Sequence, residues 1–187
     1  TSLLYTFLGN TSCIQPCIQP CIQPTIGVEF TTIRHKDYTL NFWDTAGQER
    51  YRSLLPMYYR NSNIVFICFD MTESINKILD NIDNWIKEVT KYNDTNSRII
   101  ILTGTKIDLV NDIVLENKLE NIKKNFNEPI MLTSSKDGQG INEIFNFALE
   151  ESIKNISTVT LDNGVSLNLI ELNTIKKSIW TEYCSIL

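Results

Sequence analysis

The chain has 187 residues, of which 42% are hydrophobic and 21% charged, and these values suit a single soluble domain with a sizeable core. Its formal net charge of −5 argues against nucleic acid as a partner, because such binding draws on a surplus of Lys and Arg. No apolar run approaches the roughly 20 residues that span a bilayer. With no secretory signal visible, we expect the five cysteines to be reduced thiols.

The chain opens on an apolar stretch, Ser2–Leu8, that is typical of a helix, and three copies of Cys-Ile-Gln-Pro follow at residues 13–24. Proline at every fourth position forbids a helix there, so the three cysteines of the repeat cannot share a helical face. A structural metal site would need further ligands, for which Cys68 and His35 are the nearest candidates. The alternative is that the repeat lengthens an exposed loop, which costs little entropy.

Strands and helices then alternate along the chain. A hairpin is predicted from two strands, Glu29–His35 and Thr39–Asp44. Runs that are apolar on both faces predict buried parallel strands at Ile64–Phe69, Arg98–Thr103 and Pro129–Thr133. Apolar residues at helical spacing predict helices over residues 75–89, 115–126 and 141–153. This alternation predicts an α/β fold with a doubly wound, mostly parallel sheet and helices on both of its faces.

Ligands of such sheets bind at the carboxyl ends of the strands, where this chain carries polar residues. These are Asp44, Asp70, residues 103–108 and residues 133–136. Asp44 is suited to holding a metal ion through water, and Gly47 allows a backbone N–H to approach a phosphate closely. The Asp108 carboxylate is suited to accepting two adjacent donors on the edge of a base.

Several motifs together resemble the Rab branch of the Ras-like small GTPases, over nearly all of residues 1–155. Residues 44–49, Asp-Thr-Ala-Gly-Gln-Glu, are similar to the third nucleotide motif and second switch of that family. Residues 105–108, Thr-Lys-Ile-Asp, resemble its Asn-Lys-x-Asp guanine motif, and residues 134–136, Ser-Ser-Lys, resemble its Ser-Ala-Lys motif. Residues 26–30 and 51–60 are similar to segments that distinguish Rab proteins from their relatives.

The resemblance implies a site for GTP or GDP with Mg²⁺ as the cofactor. Thr25 would bind Mg²⁺ and would contact the γ-phosphate through its backbone, while Asp44 would bind the ion through water. The Gly47 N–H would sense the γ-phosphate, and Gln48, as the catalytic residue, would orient the attacking water. Thr1 matches the last position of the family's phosphate loop, a further Mg²⁺ ligand.

The resemblance also implies how guanine is recognised. Asp108 would accept two hydrogen bonds from guanine, a geometry that adenine does not offer. Lys106 would flank the base, and backbone N–H groups around Ser135 and Lys136 would meet the guanine carbonyl. Thr105 and Ser134 complete the implied nucleotide-binding set. Four further residues would form the surface that effectors contact: Ile26, Phe30, Trp43 and Tyr58.

Residues 1–155 are expected to form the GTPase domain and residues 156–187 a flexible, variable tail. The tail ends in Cys184-Ser-Ile-Leu187, a C-a-a-X pattern whose final Leu favours geranylgeranyl on Cys184. The implied partners are an exchange factor, a GTPase-activating protein, a prenyl-carrier chaperone and effectors. The implied location is the cytosolic face of an endomembrane, endosome or Golgi, reached through the prenyl group.

The family's phosphate loop, G-x-x-x-x-G-K-[ST], is absent from the 187 residues except for its last position, Thr1. This predicts a truncated N-terminus and the loss of the first strand, which lies in the middle of the family's sheet. Unpaired backbone groups would cost about 1–3 kcal/mol each when buried, so we expect this chain neither to fold well nor to hold GTP.

Two other departures also weaken the match to a nucleotide site: Thr105 stands in place of Asn, and no aromatic residue lies between Phe7 and Thr25. The second interpretation of the function is a nucleotide-free interaction module. The third is a metal-binding module built on the repeat.

Overall fold

A computed structural model describes residues 1–9, 25–35, 38–46, 56–59, 62–91, 98–162 and 181–186, with the backbone alone for residues 35, 155–162 and 181–186. The strands are β1 Val28–His35, β2 Tyr38–Thr45, β3 Ile64–Asp70, β4 Ile99–Thr105, β5 Ile130–Leu132 and β6 Thr181–Ile186. The helices are α1 Ser2–Phe7, α2 Pro56–Tyr59, α3 Ile75–Lys91, α4 Asp112–Asn125 and α5 Ile141–Asp162. A 3-10 turn, Ile107–Leu109, lies between β4 and α4.

The described strands form one sheet in the order β1-β2-β6-β3-β4-β5. β1 and β2 are the predicted antiparallel hairpin, in which Val28 pairs with Thr45 and His35 with Tyr38. The other neighbouring strands are parallel. The predicted α/β architecture is therefore confirmed, and the carboxyl ends of β2 to β5 lie along one edge of the sheet.

Helices cover both faces of the sheet, as the alternating apolar pattern predicts. On one face α1 and α5 pack on β2 and β3, where the Phe145 ring lies 5.5 Å from that of Phe42 and 5.6 Å from that of Phe66. On the other face α3 buries Ile78 and Ile82 completely against β3 and β4. None of the described helices is long and apolar enough to cross a membrane.

Two elements lie in the C-terminal part of the chain. Helix α5 continues past residue 155 to Asp162, and Thr181–Ile186 form β6 in the interior of the sheet. In the described sheet, β6 lies between β2 and β3. Residues 181–186 contain no apolar run, so their strand conformation depends on pairing with β2 and β3 rather than on a local pattern.

Candidate functional site

The loops that follow β4 and β5 are joined by backbone hydrogen bonds. The Thr133 N–H donates to the Gly104 carbonyl at 2.7 Å, and the Ile107 N–H donates to the Thr133 carbonyl at 3.4 Å. The Thr133 side chain, which is fully buried, also donates to the Gly104 carbonyl. These bonds bring residues 105–108 and residues 134–136 side by side, although the two segments lie far apart in sequence.

Asp108 is at the centre of this loop pair. The Ser134 hydroxyl donates to Asp108 Oδ1 at 2.8 Å, and the Lys136 ammonium lies 3.9 Å from Asp108 Oδ2. Only 8% of the Asp108 side chain is exposed. A carboxylate held by a cation and a hydroxyl in so little water is a strong acceptor for further N–H donors. The structure therefore brings together three of the predicted nucleotide-binding residues: Asp108, Ser134 and Lys136.

Lys106 pairs with Asp70, to which the sequence analysis gave a position but no role. Lys106 has a left-handed backbone, with φ of 59°, and its ammonium lies 2.6 Å from Asp70 Oδ2. The N–H and the hydroxyl of Thr72 donate to Asp70 Oδ1 at 2.8 and 2.7 Å. Burial opposes ionisation of Asp70, but the hydrogen bonds from Lys106 and Thr72 outweigh it and lower the pKa of this carboxyl.

Two further hydroxyl groups tie neighbouring elements together. The Thr105 hydroxyl donates to the Phe69 carbonyl at 2.9 Å, and so connects the ends of β3 and β4. The Thr6 hydroxyl of α1 lies 2.9 Å from the Ser135 carbonyl and 3.0 Å from the Ser2 carbonyl. Thr6 is a site residue that sequence reasoning missed, because a threonine within an apolar helical stretch carries no signal of a partner 129 positions away.

Oxygen atoms of three predicted metal ligands converge at the end of β2. The Thr25 hydroxyl donates to Asp44 Oδ2 at 2.9 Å and contacts the Thr1 hydroxyl. The Asp44 side chain is 1% exposed. A buried carboxylate with hydroxyl groups around it matches the hard oxygen ligands that Mg²⁺ prefers. These residues therefore fit a Mg²⁺ ion held at this position.

The predicted effector residues form a surface on the β1–β2 hairpin and α2. The Phe30 ring lies 4.5 Å from the Trp43 ring, which lies 5.0 Å from the Tyr58 ring. Phe30 is 48% exposed and Ile26, close by in sequence, is 83% exposed. Aromatic rings kept at a surface are typical of contacts with another protein.

Several predicted site features lie outside the described residues, namely Gly47, Gln48 and the Cys-Ile-Gln-Pro repeat. Cys184 is described in its backbone, as part of β6. In the described ranges no group of three or more His, Cys, Asp or Glu side chains is placed to hold a metal ion. The roles of Gly47, Gln48 and the repeat remain predictions.

Comparison with known proteins agrees with the motifs. A sequence model of the Ras family matches residues 2–154. The GTP-binding protein ypt3 of Schizosaccharomyces pombe is 34% identical over 145 residues, which cover 75% of this chain and 66% of ypt3. The Ras-related protein SEC4 of Saccharomyces cerevisiae is 31% identical over 153 residues, which cover 78% of this chain and 69% of SEC4. A putative ras-related protein Rab-5B of Dictyostelium discoideum is 35% identical over 136 residues, which cover 70% of this chain and 62% of that protein. The chain thus spans about two thirds of the length of these relatives.

Proposed function

The chain belongs to the Ras family, as a small GTPase of the Rab type, and from that premise we propose that it is a GTP-binding switch that regulates vesicle-mediated transport. In this proposal the domain binds GTP or GDP with Mg²⁺ and hydrolyses GTP to GDP, while the absence of most of the phosphate loop from the 187 residues is expected to weaken that binding. The observation that carries the proposal is the convergence of Asp108, Ser134 and Lys136 at the carboxyl edge of the sheet.

Guanine recognition is assigned to Asp108. The Watson–Crick edge of guanine presents a ring N–H beside an amino group, and one carboxylate accepts from both. Adenine presents an acceptor in place of the ring N–H, so the carboxylate would lose a partner. Because the Asp108 side chain is 8% exposed, water replaces that partner poorly, and the wrong base is disfavoured.

Mg²⁺ is assigned to Thr1, Thr25 and Asp44, and when bound it would neutralise the charge of the nucleotide phosphates. Thr25 holds its hydroxyl on Asp44, so the end of β2 and the segment before β1 are connected at this point. Gly47 and Gln48 follow Asp44 closely in sequence, where an N–H and a side-chain amide would be near the terminal phosphate. Intrinsic hydrolysis is expected to be slow and to depend on an Arg supplied by a partner.

The proposed partners are an exchange factor, a GTPase-activating protein, a prenyl-carrier chaperone and effectors. The exposed side chains of Ile26 and Phe30, with the partly buried rings of Trp43 and Tyr58 beside Phe30, support the effector assignment. Membrane attachment is assigned to a geranylgeranyl group on Cys184, and the proposed location is the cytosolic face of an endosome or Golgi membrane.

Replacement of Asp108 tests the proposed base site. Asp108→Ala removes both acceptors, and hydrogen bonds to a charged group are worth roughly 1.5–3 kcal/mol each, so the affinity for GDP is expected to fall by about 100- to 10,000-fold. Fluorescence titration of the full chain with labelled GDP, and with ATP as the competing base, measures this loss.

Asp112→Ala is the matched control, because Asp112 is an exposed carboxylate in the first turn of α4 and lies outside the loop pair. Its affinity for GDP is expected to equal that of the unchanged chain. Equal losses in the two variants, or equal competition by ATP and GTP, would contradict the assignment.

A nucleotide-free interaction module is the second candidate function, and the same aromatic surface favours it. That surface is formed by Phe30, Trp43 and Tyr58, and its ring contacts involve no atom of the proposed nucleotide site. An unchanged chain that binds neither GDP nor GTP in the titration, while it remains folded, would favour this second function over the first.

A further inference from the structure

Lys118 is a cation on the inward side of α4. It lies three residues after Leu115 and four residues before Ile122, which is fully buried, so these three side chains share one side of the helix. Apolar residues are typical of that side. Lys118 is partly buried, and with the described residues it forms no ion pair. Its charge is therefore held by groups other than carboxylates.

The Lys118 ammonium binds the loop between β3 and α3. It donates to the Met71 carbonyl at 2.7 Å and to the Glu73 carbonyl at 2.6 Å. Hydrogen bonds from a charged donor are shorter and stronger than those between neutral groups. One side chain of α4 therefore fixes both ends of the segment 71–73, which lies 45 to 47 positions before it in sequence.

The same loop holds Lys106, which the family resemblance places beside the base. Asp70, at the start of the loop, lies 2.6 Å from the Lys106 ammonium. The Met71 N–H donates to the Thr105 carbonyl at 3.0 Å. The loop thus contacts α4 on one side and the first residues of the segment 105–108 on the other.

We propose that Lys118 is a positioning residue of the base site: it fixes the segment 71–73, and through Asp70 it holds Lys106 in its place beside the guanine. The role of Lys106 at the base rests on the proposed function, whereas the contacts from Lys118 to Lys106 need no nucleotide. Without the ammonium, two carbonyls lose a charged donor and the Asp70 carboxylate moves with its loop. Lys106 then keeps its ion pair but loses its fixed position.

Hydrogen exchange of the full chain, measured without nucleotide, tests these contacts. Lys118→Met keeps the apolar stem but removes the ammonium, and exchange at residues 70–74 and 105–108 is expected to become about 10-fold faster. Lys118→Arg keeps a cation with N–H donors and is expected to restore part of the protection in both segments. Lys123→Met is the matched control, because Lys123 is an exposed lysine of the same helix, and exchange in this variant is expected to equal that of the unchanged chain.

A double substitution separates positioning from simple anchoring of α4. Asp70→Asn removes the negative partner of Lys106. If Lys118 acts through Asp70, adding Lys118→Met to Asp70→Asn is expected to speed exchange at residues 105–108 by no more than about 2-fold further, because both changes break the same chain of contacts. An equal effect of Lys118→Met in both backgrounds would show that Lys118 only anchors its helix, and would overturn the proposal.

Titration with labelled GDP measures the consequence for binding. The affinity of Lys118→Met for GDP is expected to be about 10-fold lower than that of the unchanged chain, and the affinity of Lys123→Met is expected to be the same. Faster exchange at residues 70–74 alone, with residues 105–108 and the GDP affinity unchanged, would refute the positioning role. If the unchanged chain binds no GDP, the proposed function fails, and the exchange results still decide whether Lys118 holds Lys106.

Lysine acetylation followed by mass spectrometry decides the case in which Lys118→Met does not fold. In the unchanged chain, Lys118 is expected to react with an acetyl ester about 10-fold more slowly than Lys123, because its ammonium is bound to two carbonyls. Coupling between two sites is reciprocal, so Asp70→Asn is expected to speed the reaction of Lys118, and the exposed Asp80→Asn is expected to leave it unchanged. Equal rates at the two lysines, or no effect of Asp70→Asn, would overturn the proposal.

Discussion

Asp70 and Asp108 are carboxylates at the ends of neighbouring strands, yet their surroundings give them different roles. Asp108 has a hydroxyl and a more distant ammonium beside it, with 8% of its side chain exposed, so it is available to a ligand. The Asp70 carboxylate already pairs with the Lys106 ammonium and accepts a hydrogen bond from Thr72, and it holds the left-handed turn at Lys106. Asp70 therefore acts on the site through the position of Lys106.

The stability of the fold is expected to depend on the ionisation of Asp70. Its pKa is lowered in the folded chain, so its contribution is present above the ordinary value of 3.8 and is lost as the pH falls through the lower, folded value. Asp70→Asn is expected to cost roughly 0.2–1 kcal/mol at pH 7, as partly exposed ion pairs do, and to remove this part of the acid dependence. Urea unfolding at pH 7 and at a series of values below 4 measures both effects.

Asp80→Asn, the same change at an exposed position of α3, is the control for the loss of one negative charge. A pH dependence that is equally steep in Asp70→Asn and in the unchanged chain would contradict the role given to Asp70.

The connection between β5 and α5 is determined by one glycine. Gly140 has φ of +72°, and a Cβ at this position would collide with the backbone carbonyl of Leu132. The Ser134 N–H donates to the Gln139 carbonyl at 2.9 Å, so the same turn holds the loop that carries Ser134 and Lys136. Gly140 therefore allows the close approach between β5 and the start of α5, and the same turn shapes the loop of the proposed base site.

Gly140→Ala is expected to destabilise the fold by more than the roughly 1–2 kcal/mol that a left-handed backbone costs a residue with a Cβ, because the collision with Leu132 adds to it. Gly138→Ala is the matched control, since Gly138 has φ of +78° but has no atom within 4 Å of an added Cβ. Thermal unfolding of both variants measures the difference. Equal destabilisation would show that the close approach to Leu132 contributes nothing.

Elements with a strong local pattern were predictable, and those that depend on distant pairing were not. The apolar run of Ile64–Asp70 and the helical spacing of Ile75–Lys91 carry their own signal, and both elements formed as predicted. Strand β6 has no such pattern, and its partners, β2 and β3, lie far from it in sequence. For the same reason Thr6 was missed and Asp70 received a position but no role, since their partners lie in other elements.

At the scale of the whole molecule, the parallel direction of the strands explains why most of the site could be predicted from the sequence. Once the strands are parallel, their carboxyl ends lie at one edge, and the motifs that follow them must be neighbours. This is why Asp108, Ser134 and Lys136 were predictable as a group. Thr25 lies beside Asp44 because β1 is antiparallel to β2, which places the segment before β1 at the end of β2. Exact partners, such as the pairing of Lys106 with Asp70 rather than with Asp108, depend on loop geometry that no motif encodes.

Hydrogen exchange of the full chain, with and without GDP and Mg²⁺, tests the central claim that the strand-end loops form a guanine site. GDP is expected to slow exchange at residues 105–108 and 133–137, and ADP at the same concentration is expected to leave both segments unchanged. Equal slowing by GDP and ADP, or no slowing at these segments in a chain that is folded, would contradict the account.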